Sequence, residues 1–226
     1  MQPQTDVYTT IHKSHRYGLF ALTTHAGKTD FTNKDAVDKL FEQLTFLREA
    51  VRVHIESEST YIHPMLAKRV PEGSRELDEE HRDHFQKLND LANHLTEIRN
   101  KPGDFEKTQG LGLEFYRALN RFVSAYLAHL DKEEEKIQPI LRRLCTDQEL
   151  VTAVNGFMSR LGSLPPEDAE RTLKMMIPAY SIDELSEMFA RAQTTSPEAE
   201  KNLRKLAEQT LSPDEWAKLK QRLPKP

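Results

Sequence analysis

Imidazole and carboxylate recur four residues apart at two places in this chain. HIESESTYIHPML, residues 54 to 66, and HLDKEEEKIQPIL, residues 129 to 141, both open on His and carry Glu at plus four, Glu58 and Glu133. Both then reach Ile, Pro and Leu at matching offsets. Positions i and i+4 lie one turn apart on one helix face, so each segment presents a ring nitrogen and a carboxylate together. A second pair repeats too. HKSHRYGLFALTTH, residues 12 to 25, aligns with HRDHFQKLNDLANH, residues 81 to 94. The alignment sets His12 over His81, His15 over His84, Leu19 over Leu88, Leu22 over Leu91 and His25 over His94. The N-terminal part is thus two copies of a helix pair, and a pseudo-twofold bundle follows.

Six groups, His12, His54, Glu58, His81, His129 and Glu133, are expected to meet inside such a bundle. They are costly to bury unless something neutralises the carboxylates and takes up the lone pairs. A pair of divalent metal ions does both. Two His on each ion, with both Glu able to bridge, leave coordination positions open for water, hydroxide or a diatomic molecule. Imidazole mixed with carboxylate suits iron, and less specifically manganese or zinc. The ferritin-like carboxylate bundles use Glu-x-x-His, a spacing not used here.

Other residues take their roles from the same register. His15 and His84 follow their aligned histidines by three, about 60° off the ligand line, and are read as groups behind the ligands or at caps. Tyr61, three residues after Glu58, is expected to face the same interior, behind a ligand or as an occasional oxygen ligand. His63, nine residues after His54, falls on the far side of an ideal helix and receives no role. His25 and His94 are placed at the surface near helix ends. In the run EEEK only Glu133 keeps the register, and its neighbours are read as a solvated face. Pro64 and Pro139 are expected to kink or loosen their helices just beyond the site.

The elements that must position these groups are helical. No segment alternates as a half-buried strand would. Four long helices fit residues 6 to 26, 33 to 68, 72 to 99 and 106 to 144, separated by AGKTDFTN, RVPEGS and NKPGDF. Short connections of this kind favour an up-down-up-down four-helix bundle. Past Cys145 the helices shorten, with starts at SIDEL, SPEAE and SPDEW, and no His occurs there. The expected fold is all-α: a metal-binding bundle over residues 1 to 145 and a smaller helical extension over 146 to 226.

Composition narrows the partners. With 30% charged residues, a formal net charge of -4 and no basic stripe, the chain does not read as a nucleic-acid binder. It has no run near the roughly 18 apolar residues that span a bilayer, and MQPQTDVYTT lacks the features of a leader, so it reads as cytoplasmic with no membrane partner. The single Cys145 has no thiol to pair with and reads as buried and inert.

The order His12, His54 with Glu58, His81, His129 with Glu133 resembles the hemerythrin-like (HHE cation-binding) family over residues 1 to 145, and the tail resembles extensions on bacterial members. The resemblance implies a four-helix bundle around a non-haem di-iron centre (Fe2+/Fe3+) joined by an oxo or hydroxo bridge, with manganese or zinc less favoured. It implies that His12 and His54 bind one iron and His81 and His129 the other, with Glu58 and Glu133 bridging. Its oxygen carriers have a second His four residues after the third-helix ligand, where this chain has Phe85. The symmetric four-His pattern is closer to members linked to nitrosative stress and iron repair. Three functions are compatible with this pattern. The favoured one binds oxygen or nitric oxide as sensor, scavenger or store. An enzyme reducing peroxide or nitric oxide is the second: Tyr61 or His84 could supply protons, but no thiol or cofactor motif supplies electrons. The third is an interaction protein with a structural metal, its partner bound through residues 147 to 226.

Overall fold

The computed structural model describes residues 5–100 and 105–223. The break NKPGDF falls largely outside the described residues, as does the start of MQPQTDVYTT. Every regular element among the described residues is helical. α1 (Thr9–Lys28) starts where the Asp6 carboxylate accepts the Tyr8 and Thr9 amides at 3.0 and 2.8 Å. α2 (Lys34–Tyr61) is capped by Asn33, whose side chain accepts the Ala36 amide. A short α3 (His63–Ala67) and then α4 (Pro71–Arg99) each begin with proline in the first turn, where its missing N–H leaves no bond unmade. α5 (Phe105–Lys132) runs on through one wide π turn, Glu133–Ile137, into α6 (Gln138–Leu144).

The four long helices form an up-down-up-down bundle. The polarity of α2, α4 and α5 is visible in the ion pairs. Arg99 at the end of α4 meets Asp38 at the start of α2 at 2.6 Å, and Lys132 at the end of α5 meets Glu76 and Glu80 near the start of α4 at 2.7 and 2.8 Å. The aligned apolar positions make the core: Leu19, Leu22, Leu88 and Leu91, and likewise Leu47, Val51, Phe122 and Tyr126, are all buried. Each such side chain contributes about 1.5–3 kcal/mol of transfer free energy, which holds the helices in register.

By internal packing the chain divides into two compact units. One is Gly18–Arg160 with the stretch ending at Thr9; the other is Thr10–Tyr17 with the chain from Leu161 on. The first also contains most of α7 (Asp147–Gly162), whose Leu150 and Ala153 are buried with Tyr8, Ile62, Leu66, Leu77, Ile137 and Leu141. The second holds α8 (Pro166–Met176), a 3-10 turn, α9 (Ile182–Thr195), α10 (Pro197–Thr210) and α11 (Pro213–Arg222). Ser181 with Glu184 and Ser212 with Glu215 form the two expected capping boxes, and Ser196 caps α10. Ile177, Leu185, Phe189, Leu203, Ala207, Trp216 and Leu219 give this unit its own core. No helix among the described residues is long and apolar enough to cross a membrane.

Candidate metal centre

Each copy of the doubled segment presents its pair as the spacing requires. His54 Nε2 lies 3.2 Å from Glu58 Oε1 on α2, and His129 Nε2 lies 3.2 Å from Glu133 Oε1 where α5 enters the π turn. From α4, His81 Nε2 reaches Glu58 Oε2 at 3.2 Å, Glu133 Oε1 at 3.4 Å and His129 Nε2 at 2.9 Å. Nitrogens at right angles around one ion, each ~2.1 Å from it, stand about 3 Å apart, so the last separation is one that neighbouring ligands adopt. His12 is fully buried on α1. All six are at most 4% exposed. Of the acidic run, only Glu133 is buried; Glu134 is half-buried and Glu135 exposed.

A group whose ligand atoms lie within 4.8 Å of one another joins Glu58, His81 and Glu133 with His63, the histidine that an unbroken helix would turn away. The correction has a local cause. Pro64 has no N–H to give to the carbonyl four residues back and its ring crowds that carbonyl, so α2 stops at Tyr61 and the chain restarts as α3. Counting residues along one helix fails across that break. His63 is 3% exposed, stacks on His81 at 5.1 Å with the planes 15° apart, and shares a 2.6 Å hydrogen bond through Nδ1 with Asp78. His129 is held alike: its Nδ1 lies 2.8 Å from Glu80, whose other oxygen accepts from Lys132. Asp78 and Glu80 sit in the charged run ELDEEH, which reads as a solvated face.

Charge couples the groups of the centre. Burial disfavours a charged imidazole at His81, yet Glu133 and Glu58 outweigh it and draw the ring up to about 10. His129 is likewise raised against burial, chiefly by Glu133. Burial and Glu58 push the Glu133 carboxyl upward, but His129 and His81 prevail and hold it below the usual carboxylate range. Burial, then the fields of Glu133 and Glu58, raises the Tyr8 phenol well above its ordinary value, and the same carboxylates act on Tyr126. Both stay protonated beside the site. Tyr8 was findable, since it precedes His12 by four residues on the same face.

The remaining expectations land as follows. His15 is buried on α1. His84 is buried edge-on against Tyr126 and His129, its Nδ1 has no hydrogen-bond partner, and burial followed by His129 lowers it to about 4. The half-buried Tyr61 lays its ring over Gly156 of α7, where an added Cβ would fall 2.6 Å from a ring carbon. His25 and His94 are half-buried, bonded to Gln43 and packed on Phe115 respectively. Cys145 is half-buried, and burial raises its thiol.

These residues fit a metal pair. Two carboxylates at most 2% exposed face converging imidazoles, and His63 Nε2 and His81 Nδ1 are buried with no hydrogen-bond partner. Residues 4–141 match the family model described as Hemerythrin HHE cation binding domain. No curated protein and no solved structure matches the chain.

Proposed function

The chain belongs to the hemerythrin HHE cation-binding family, and from that premise we propose that it is a non-haem di-iron protein binding dioxygen or nitric oxide as sensor, scavenger or store. His12 and His54 would hold one ion, His81 and His129 the other, and Glu58 and Glu133 would serve both. Residues 1–145 are the metal-binding part and 146–226 a helical extension. The observation that carries the reading is the pair of buried carboxylates whose ligand atoms lie within 4.8 Å of imidazoles from separate helices. A compact buried His and Glu set of this size has no balanced charge without cations or protons.

Bound there, two redox-active ions supply open positions for a diatomic ligand. The protein supplies the rest. Glu80, itself bonded to Lys132, fixes the His129 ring so that Nε2 faces Glu133 and His81. Leu47, Val51 and Leu130 are buried on the helices that carry His54 and His129, and Phe157 sets its ring edge-on to His54 at 6.4 Å. Tyr8 and Tyr126 keep their protons beside the carboxylates.

Metal content and the optical spectrum decide the matter. Protein loaded anaerobically with iron(II) is expected to hold two irons per chain and to develop charge-transfer bands with oxygen or nitric oxide that reverse when the gas is removed. Bands that decay with turnover would make it an enzyme. One zinc per chain, or none of any metal, would refute the di-iron reading.

A further inference from the structure

We infer that His63 is a metal ligand, a third imidazole on the ion held by His81 and His129, so that the two ions of the pair are held unequally. The inference rests on the di-iron reading above and adds a residue to it. His63 is buried, and its two nitrogens are differently employed: Nδ1 shares a hydrogen with Asp78 at 2.6 Å, whereas Nε2 is buried with no partner. A core histidine kept only for packing would have both nitrogens satisfied or one in water. Instead the ring places a ligand atom within 4.8 Å of those of Glu58, His81 and Glu133.

The bond from Nδ1 to a carboxylate is what holds a metal-bound imidazole in the tautomer with Nε2 free to coordinate. His129 and Glu80 repeat it in the same centre, and both carboxylates come from α4, two residues apart. The duplicated half of the chain offers no counterpart. The position aligned with His63 is Gln138, whose amide accepts from the Val7 N–H at 2.9 Å and donates to the Thr5 carbonyl at 3.2 Å. One ion then has His63, His81, His129 and two carboxylates, while the other has His12, His54 and the same two carboxylates.

Cobalt(II) tests this on the full chain. In the native protein loaded with cobalt, each coordinated imidazole that keeps its ring N–H gives a hyperfine-shifted exchangeable proton signal. With His63 among the ligands five are expected; four would overturn the inference, whatever any variant does. His63→Gln, with helicity checked by circular dichroism, is expected to weaken one of the two cobalt sites about tenfold or more against a competing chelator and leave the other unchanged. Asp78→Asn is expected to weaken the same site by about tenfold. Two sites of native affinity and spectrum in His63→Gln would overturn His63 alone. If the native chain takes up no pair of ions, or keeps both in His54→Ala and Glu133→Ala, the centre itself is refuted and His63 with it.

Discussion

Residues 54–66 and 129–141 share His, Glu, Ile, Pro and Leu at the same offsets, yet the chain treats them differently after the glutamate. In the first copy the helix stops at Tyr61 and restarts at His63; in the second it stays continuous by opening one π turn, in which the Gln138 amide bonds to the Glu133 carbonyl five residues back. Both are answers to a proline ten residues after the histidine, which can neither donate to the ladder nor fit against the carbonyl four residues earlier. The break lets His63 reach the centre. The π turn lets Gln138 hold the N-terminal stretch instead. A duplicated sequence has therefore produced one common half-site and two different neighbours, so that on the proposed reading equal ligand spacing would not make two bound ions equivalent.

Several substitutions sharpen or break this comparison. The largest effect is expected where the copies agree: Glu58→Ala or Glu133→Ala removes a carboxylate proposed to be shared by both ions, and metal analysis should find the pair lost in either. Pro64→Ala comes next. It returns an N–H to the first copy and lets α2 continue, carrying His63 away, so one cobalt site should weaken about tenfold in chelator competition. Pro139→Ala lies beyond Glu133 and should leave both affinities at native values; equal losses in the two variants would remove the distinction drawn here.

Smaller effects concern what holds each copy in place. Gly156→Ala forces a methyl group into the Tyr61 ring beside the break, and urea titration should show a loss of about 1–3 kcal/mol. The position matching Tyr61 in the second copy is the exposed Lys136, where no such dependence exists. Gln138→Ala cuts two hydrogen bonds to Thr5 and Val7 and should cost about 1–3 kcal/mol with metal content unchanged. The mildest is Thr146→Ala. Thr146 and Glu149 bond reciprocally at the start of α7, and Arg69 ties that glutamate to the chain after α3. Losing the cap should lower stability by about 1 kcal/mol.

Much of this was legible in the residues. Leu19, Leu22, Leu88 and Leu91 announced their burial by spacing alone, and Ser181 and Ser212 announced helix starts by the glutamate three residues on. The register of His54 with Glu58 and of His129 with Glu133 survives because nothing interrupts the helix between the members of each pair. What failed was extrapolation past the prolines. Pro64 and Pro139 gave the warning that a helix would be disturbed, but side-chain pattern does not say whether a chain breaks or slips its hydrogen bonds by one residue, and that choice decides where His63 faces. Asp78 and Glu80 stayed hidden for another reason. Their side chains are 41% and 33% exposed, so a carboxylate that orients a buried imidazole looks, in sequence, like any other on a wet face.

The π turn has a consequence for how the chain can change length. It contains one residue more than an α turn needs, and the surplus lies after Glu133. A deletion of one residue between Glu134 and Ile137 would close the turn into an ordinary one. Glu133 and His129 would stay where they are, while the proline beyond would again face the carbonyl four residues earlier that the wide turn lets it avoid. The wide turn is thus a slack point where the gene can shorten by a codon without touching the ligands, whereas the same deletion before Glu133 would rotate the carboxylate about 100° out of the centre.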